Sequence, residues 1–241
     1  MKVPCMLLAL ALSGCGRGCG PQHAPAPADA GRGAASDTLR AMHADAPPKL
    51  DGELTEPAWQ SAARTGPFLD PDGQQARPFS EVKATWDETN LYLGLYAADQ
   101  DIEARVTRHD EPVWTDDAFR IRLGPSGERA PRFAIDVSAT GVTADARRRD
   151  DGSMDASWES GVRLAVDKDG TVNDPRDEDE EWVVEAAMPF ASLGLRPVPG
   201  TRLLLEVTRC DTPKGATSRC ASWGREQGRT TGVIELRGTA P

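Results

Sequence analysis

Several stretches of the chain alternate apolar and polar residues with a period of two, the spacing that turns one face of a strand toward a core and the other toward water. Val82, Ala84 and Trp86 alternate with Lys83 and Thr85; after the turn-forming run Asp87-Glu88-Thr89-Asn90 the pattern resumes with Leu91, Leu93 and Leu95, while Tyr92 and Tyr96 fall on the opposite side. This is a hairpin signature. Phe119, Ile121 and Leu123 alternate with Arg120 and Arg122, and Phe133, Ile135 and Val137 with Ala134 and Asp136; the two segments are expected to pair across residues 124–131. Residues 162–166, 182–188, 203–207 and 233–236 are further strand candidates, with turn residues between nearly all of them. The pattern predicts an all-β fold, an antiparallel β-sandwich. Helical signal is confined to one or two short pieces: residues 55–63, with Thr55 as cap and Pro57 in the first turn, and a turn at residues 190–193. Trp59, Trp86 and Trp182 sit within these periodicities and are expected in the core; Trp158 is ambiguous.

The first residues follow another logic. Met1-Lys2 and a run of about ten mostly apolar residues, 3–12, form a secretion signal too short to cross a bilayer as a helix, which takes about 20 residues. The run ends in Leu12-Ser13-Gly14-Cys15, which resembles the bacterial lipobox. The resemblance implies that residues 1–14 are removed and that Cys15 is acylated and holds the protein to a membrane. Gly16 stands where an inner-membrane retention signal would place aspartate, which favours the outer membrane, on its periplasmic or surface face. From there to residue 46 the composition is Ala, Gly, Pro and Asp with only Leu39 and Met42 as sizeable apolar side chains, so residues 15–46 are read as a lipidated, disordered tether and 47–238 as one domain.

The formal net charge of -10 excludes a nucleic-acid partner, since a phosphate backbone is bound by clustered Lys and Arg, and the one basic run, Arg147-Arg148-Arg149, is followed at once by Asp150-Asp151. Export permits disulfides. Cys210 and Cys220 flank the loop 211–219 and are expected to pair, a closure worth roughly 2 to 3 kcal/mol in the chain-entropy account. Cys19 is left without a partner.

The order of short motifs resembles the family 9 carbohydrate-binding modules and their wider relatives. The resemblance opens with Leu50-Asp51-Gly52-Glu53-Leu54-Thr55-Glu56-Pro57-Ala58-Trp59 and continues through the hairpin at residues 82–94, Trp114-Thr115-Asp116-Asp117-Ala118-Phe119 and residues 133–141. Trp182-Val183-Val184-Glu185, Ser222-Trp223-Gly224 and Gly232-Val233-Ile234-Glu235-Leu236 complete it. It implies a jelly-roll or immunoglobulin-like sandwich that binds a sugar without turning it over. By motif position, Trp114 and Trp223 correspond to a tryptophan pair that clamps the terminal sugar, packing indole faces on the apolar C–H face of a pyranose. Asp117 and Arg120 belong to the same expected site. Arg120 departs from the family pattern, which has an acid after the Asp-Asp pair, so a donor stands in place of an acceptor and an acidic oligosaccharide becomes as suitable as a neutral polysaccharide.

The resemblance also implies calcium ions supporting the loops, with Asp99, Asp101 and Asp116 as ligand candidates and a further acidic run at residues 174–181. A haem-binding relative is the competing class, for which the domain read at 47–238 offers only His109, Met154 and Met188; His109 is read as a surface histidine. An envelope scaffold without glycan affinity is the third class. No nucleophile elbow, histidine-rich metal motif or phosphate loop marks an enzyme, and the chain is expected to act as a monomer.

Overall fold

A computed structural model describes residues 38–226 and 228–238. The strands are β1 (Thr38–His43), β2 (Ala63–Arg64), β3 (Ser80–Trp86), β4 (Asn90–Ala98), β5 (Ala118–Pro125), β6 (Phe133–Ser138), β7 (Thr143–Arg148) and β8 (Met154–Asp155). They continue with β9 (Arg163–Asp169), β10 (Glu181–Pro189), β11 (Arg202–Asp211), β12 (Arg219–Trp223), β13 (Arg225–Glu226), β14 (Arg229–Thr230) and β15 (Val233–Arg237). The helices are α1 (Pro57–Gln60) and a single 3-10 turn, Val113–Thr115. Among the described residues, no helix is long and apolar enough to cross a membrane.

Both expected hairpins form. Asp87 holds the β3–β4 turn: its Oδ1 accepts the N–H of Thr89 and of Asn90, each at 2.7 Å, and its Oδ2 accepts the Tyr92 hydroxyl. Burial, and then that carboxylate, push the Tyr92 phenol up to about 12. Strands β5 and β6 pair with Ile121 opposite Ile135.

The strands run in the order β8-β7-β6-β5-β11-β15-β1-β3-β4-β10-β9, with β12 also on β11 and β2 on β3; β13 and β14 form a separate ribbon. The curled sheet folds into a sandwich whose two leaves meet through their apolar faces. Phe119 of β5 packs on Trp182 of β10 with ring centroids 4.8 Å apart. Each such side chain, fully buried, contributes roughly 1.5 to 3 kcal/mol. Trp59, Trp86 and Trp182 are buried as expected, and Trp158 joins the core against Phe133.

Strand β1 corrects the sequence reading twice. It occupies part of the segment read as tether, and it runs parallel to both its neighbours, β15 and β3, in an otherwise antiparallel sandwich. It closes the seam between the leaves with Leu39 and Ala41 turned into the core. Small apolar residues at alternate positions suffice there because both ladders satisfy the backbone. Residues 1–37, with the expected signal, Cys15, Cys19 and most of the tether, lie outside the described residues.

The opening motif proves to be a fastening. Glu185, fully buried in β10, accepts the N–H groups of Asp51 and Gly52 through Oε2, each at 2.7 Å, and the Trp59 indole N–H through Oε1 at 2.5 Å. Gly52 has φ +93°, and a Cβ there would sit 2.7 Å from Asp167, so only glycine fits. Glu56, rather than the expected Thr55, occupies the N-cap of α1, and without a side-chain cap bond.

Candidate functional site

Register and packing bring the expected site residues to different places. The outward face of the β7-β6-β5-β11-β12 leaf carries a cross-strand row, Ala144, Asp136, Arg120, Thr208 and Ser222, each opposite the next. Arg122 donates to Asp136 Oδ1 at 2.6 Å, and Arg120 Nε lies 3.6 Å from Asp136 Oδ2, so two guanidinium groups share one carboxylate. The Arg120 side chain is 37% exposed and its Nε has no hydrogen-bond partner. Thr208 and Ser222 join hydroxyls at 2.7 Å.

Two pieces flank this row. The 3-10 turn packs on the same face: Val113 lies on Ala118 and Ala144, both outward-facing, and the next residue, Trp114, is 47% exposed. In the adjacent cross-strand row Glu206, opposite Arg122, accepts Arg225 Nη1 at 3.1 Å and the Thr230 hydroxyl at 2.7 Å, which holds the β13–β14 ribbon against the leaf. The result is a strip with a guanidinium, hydroxyls and a carboxylate on its floor, flanked by the turn that carries Trp114. That is the inventory that packs a sugar ring and bonds its hydroxyls.

Trp223 does not share this strip. It is 7% exposed, packs in the main core, and a Cβ on Gly232 would press within 2.9 Å of its ring. Expected as the second wall of a clamp, it backs the leaf instead. Among the described ring contacts none joins it to Trp114.

Asp117 is buried too, at 0% exposure. Its Oδ2 accepts the Glu103 N–H and its Oδ1 the Thr212 N–H, both at 2.7 Å, and its carboxyl is pushed up to about 8, first by burial and then by Asp99. Asp99, Asp117 and Asp211 bring carboxylate oxygens within 4.8 Å of one another; neither Asp101 nor Asp116 joins them. Asp116 instead ties down the backbone N–H groups of Arg105 and Val106. The trio fits a calcium ion poorly. Asp99 Oδ2 accepts Trp182 Nε1 at 2.9 Å and Arg209 Nη2 at 2.7 Å, Asp99 Oδ1 the Asp101 N–H, and Asp211 takes Arg209 at 2.8 Å and Arg219 at 3.0 Å. Every oxygen of the three carboxylates is already engaged, and Arg209 stands where a cation would, whereas calcium wants six to eight free oxygens. The acidic run at 174–181 contributes Asp179, whose oxygens accept the N–H groups of Ile102 and Thr171.

The haem alternative finds no axial pair. The His109 nitrogens meet Thr143 and Glu159, Met188 is buried in the core, and Met154 is exposed on β8. The basic run is neutralised, Arg148 by Glu128 and both Arg147 and Arg149 by Asp155.

Sequence reasoning missed a cleft of about 450 Å³ lined by Asp70, Arg77, Arg209, Asp211, Arg219 and Cys220. A neighbouring one of about 360 Å³ shares Pro78, Asp211 and Arg219 with it. The Cys210–Cys220 disulfide, formed as expected, joins β11 to β12 beside it. No aromatic ring lines either cleft, so neither offers a stacking surface.

Comparison with known proteins agrees with this architecture. A family 9 binding module from Caldicellulosiruptor kristjanssonii, solved with cellotriose, superposes with TM-score 0.61 at 16% identity, covering 84% of this chain and 95% of that one. The same organism's module solved with glucose gives 0.57 at 16% identity over 84% and 97%. A Bacteroides uniformis protein gives 0.62 at 14% identity over 83% and 99%. At these identities the likeness establishes the fold alone. No curated protein matches the chain. The sequence profile described as "Carbohydrate family 9 binding domain-like" matches residues 50–235, and by that match the chain belongs to this family.

Proposed function

We propose that the chain is a non-catalytic carbohydrate-binding protein of the bacterial envelope, whose ligand face is the strip flanked by the turn that carries Trp114 and by the β13–β14 ribbon. The observation that carries this reading is the 47% exposed indole of Trp114, in the turn whose Val113 packs on the outward face of the leaf that carries Arg120, Thr208 and Ser222, in a chain of this family. An exposed indole costs solvation unless something packs on it, and a pyranose C–H face does so while its hydroxyls reach the floor. With Trp223 turned inward, the ring is gripped on one side and held from below by hydrogen bonds. The shared carboxylate leaves one positive charge in excess on the floor, so acidic oligosaccharides bind more tightly than neutral ones. The relatives solved with glucose and cellotriose support a saccharide ligand.

Calorimetric titration against glucose, cellotriose and an acidic oligosaccharide tests the reading. Trp114→Ala and Arg120→Ala each weaken binding in a protein that stays folded; heat from no sugar leaves the fold standing and moves the assignment to an envelope scaffold. Attachment through acylated Cys15 is part of the same proposal and is read by metabolic labelling with a fatty acid, which Cys15→Ser abolishes.

A further inference from the structure

The loop leading to Trp114 carries a second constellation. His109 on that loop, Asp145 of β7 and Glu159 after β8 each bring one potential ligand atom within 4.8 Å of the other two. His109 Nε2 lies 3.2 Å from Glu159 Oε2 and 3.4 Å from Asp110 Oδ1. Ligands held about 2.1 Å from a tetrahedral zinc stand about 3.4 Å apart, so the His109–Glu159 separation is already close to an edge of such a site. The other ring nitrogen, Nδ1, lies 3.0 Å from the Thr143 hydroxyl, the outer partner that fixes the orientation of a ligating imidazole.

Asp145 supplies the independent observation. It is 6% exposed; its Oδ2 accepts both the N–H and the hydroxyl of Ser160, while its Oδ1 is buried with no hydrogen-bond partner. A buried carboxylate oxygen without a donor costs free energy unless a cation meets it. The buried Asp99, Asp117 and Asp211 leave no such oxygen.

We propose that His109, Asp145 and Glu159 bind a divalent first-row transition metal, with Asp110 at the margin of the site. Imidazole with two carboxylates suits zinc and its neighbours, whereas calcium and magnesium take oxygen ligands alone. Three protein ligands leave a fourth position open. The ion joins the loop carrying Trp114 to β7 and to the segment after β8, and the site stands whatever the Trp114 face binds.

The test is titration of the full chain with Zn²⁺ by calorimetry and with Co²⁺ by visible absorption, in the unaltered protein, His109→Ala, Asp145→Asn and Glu159→Gln, with folding checked by circular dichroism. The expected result is one equivalent bound by the unaltered protein at a site that His109→Ala weakens at least tenfold, with loss of its cobalt band. Thiols in the N-terminal segment bind the same in all four proteins and cancel in the difference. Glu159 is exposed, so Glu159→Gln remains readable if Asp145→Asn fails to fold. Equal uptake and equal cobalt spectra in the unaltered protein and His109→Ala overturn the proposal, as does displacement of zinc from this site by equimolar Ca²⁺.

Discussion

Arg209 and Arg120 sit on adjacent strands and illustrate two fates for the same side chain. Arg209 is buried and donates to two aspartates, Asp99 and Asp211, inside a cluster where every carboxylate oxygen already has a donor. Arg120 is part-exposed, touches Asp136 only at 3.6 Å, and shares it with Arg122. Each keeps an Nε without a hydrogen-bond partner, but Arg209 is 3% exposed and held by two aspartates, whereas the Arg120 side chain is 37% exposed on the outward face. Exposure and hydrogen-bond accounting together therefore separate acids and bases that hold the fold from those that can meet something outside it.

Breaking the closed region has the largest effect. Arg209→Met leaves buried carboxylates unpaired and lowers stability by about 3 to 5 kcal/mol in urea unfolding; a loss under about 1 kcal/mol would show that the cluster is wetter than its burial implies. Trp223→Ala belongs to the same class, costing about 3 to 5 kcal/mol as a core deletion. Trp114→Ala changes stability by no more than about 0.5 kcal/mol and shows itself in sugar affinity, with about a tenfold loss, the weight of one aromatic contact. Equal behaviour of the two tryptophans would erase the distinction between wall and core.

The pH profile sharpens the contrast further. The Asp117 carboxyl is pushed from 3.8 up to about 8 in the fold, so the cost of ionising it there is absent below about pH 4 and the stability it leaves intact is lost as pH rises toward 8. Asp117→Asn removes this slope, and midpoints measured between pH 5 and pH 8 should converge. The smallest effect is expected at the surface: Arg108→Ala, which loses only an exposed pair with Glu111, leaves the unfolding midpoint unchanged.

Much of the fold was legible because the period of two is written locally. Residues 82–95 and 119–137 announce their strands by alternation alone, and the Cys210–Cys220 pair by the loop between them. Strand β1 was not, because Leu39 and Ala41 offer little bulk inside a Pro- and Ala-rich stretch and its two partners lie 43 and 195 residues away along the chain. Charged residues on strands stay illegible for a different reason: the partners of Glu185 and Arg209 lie far along the chain, in the loop at residues 51–52 and at Asp99 just after β4. The candidate site divides in the same way: Trp114 and Arg120 are named by motif position, but the inward turn of Trp223 and the meeting of His109 with Asp145 and Glu159 depend on register that no local window contains.

Strand β1 has a mechanical consequence. A pull transmitted through the residues before Thr38 enters the domain along a strand bonded on both sides, to β15 from Thr38 to Met42 and to β3 at Met42 and His43. Because the ladders run beside the direction of load, the bonds resist together in shear rather than opening one after another. A chain held at its N-terminal end while its far face grips an immobile polymer would be loaded in this way, and its weakest point would then be the sugar contact rather than the fold.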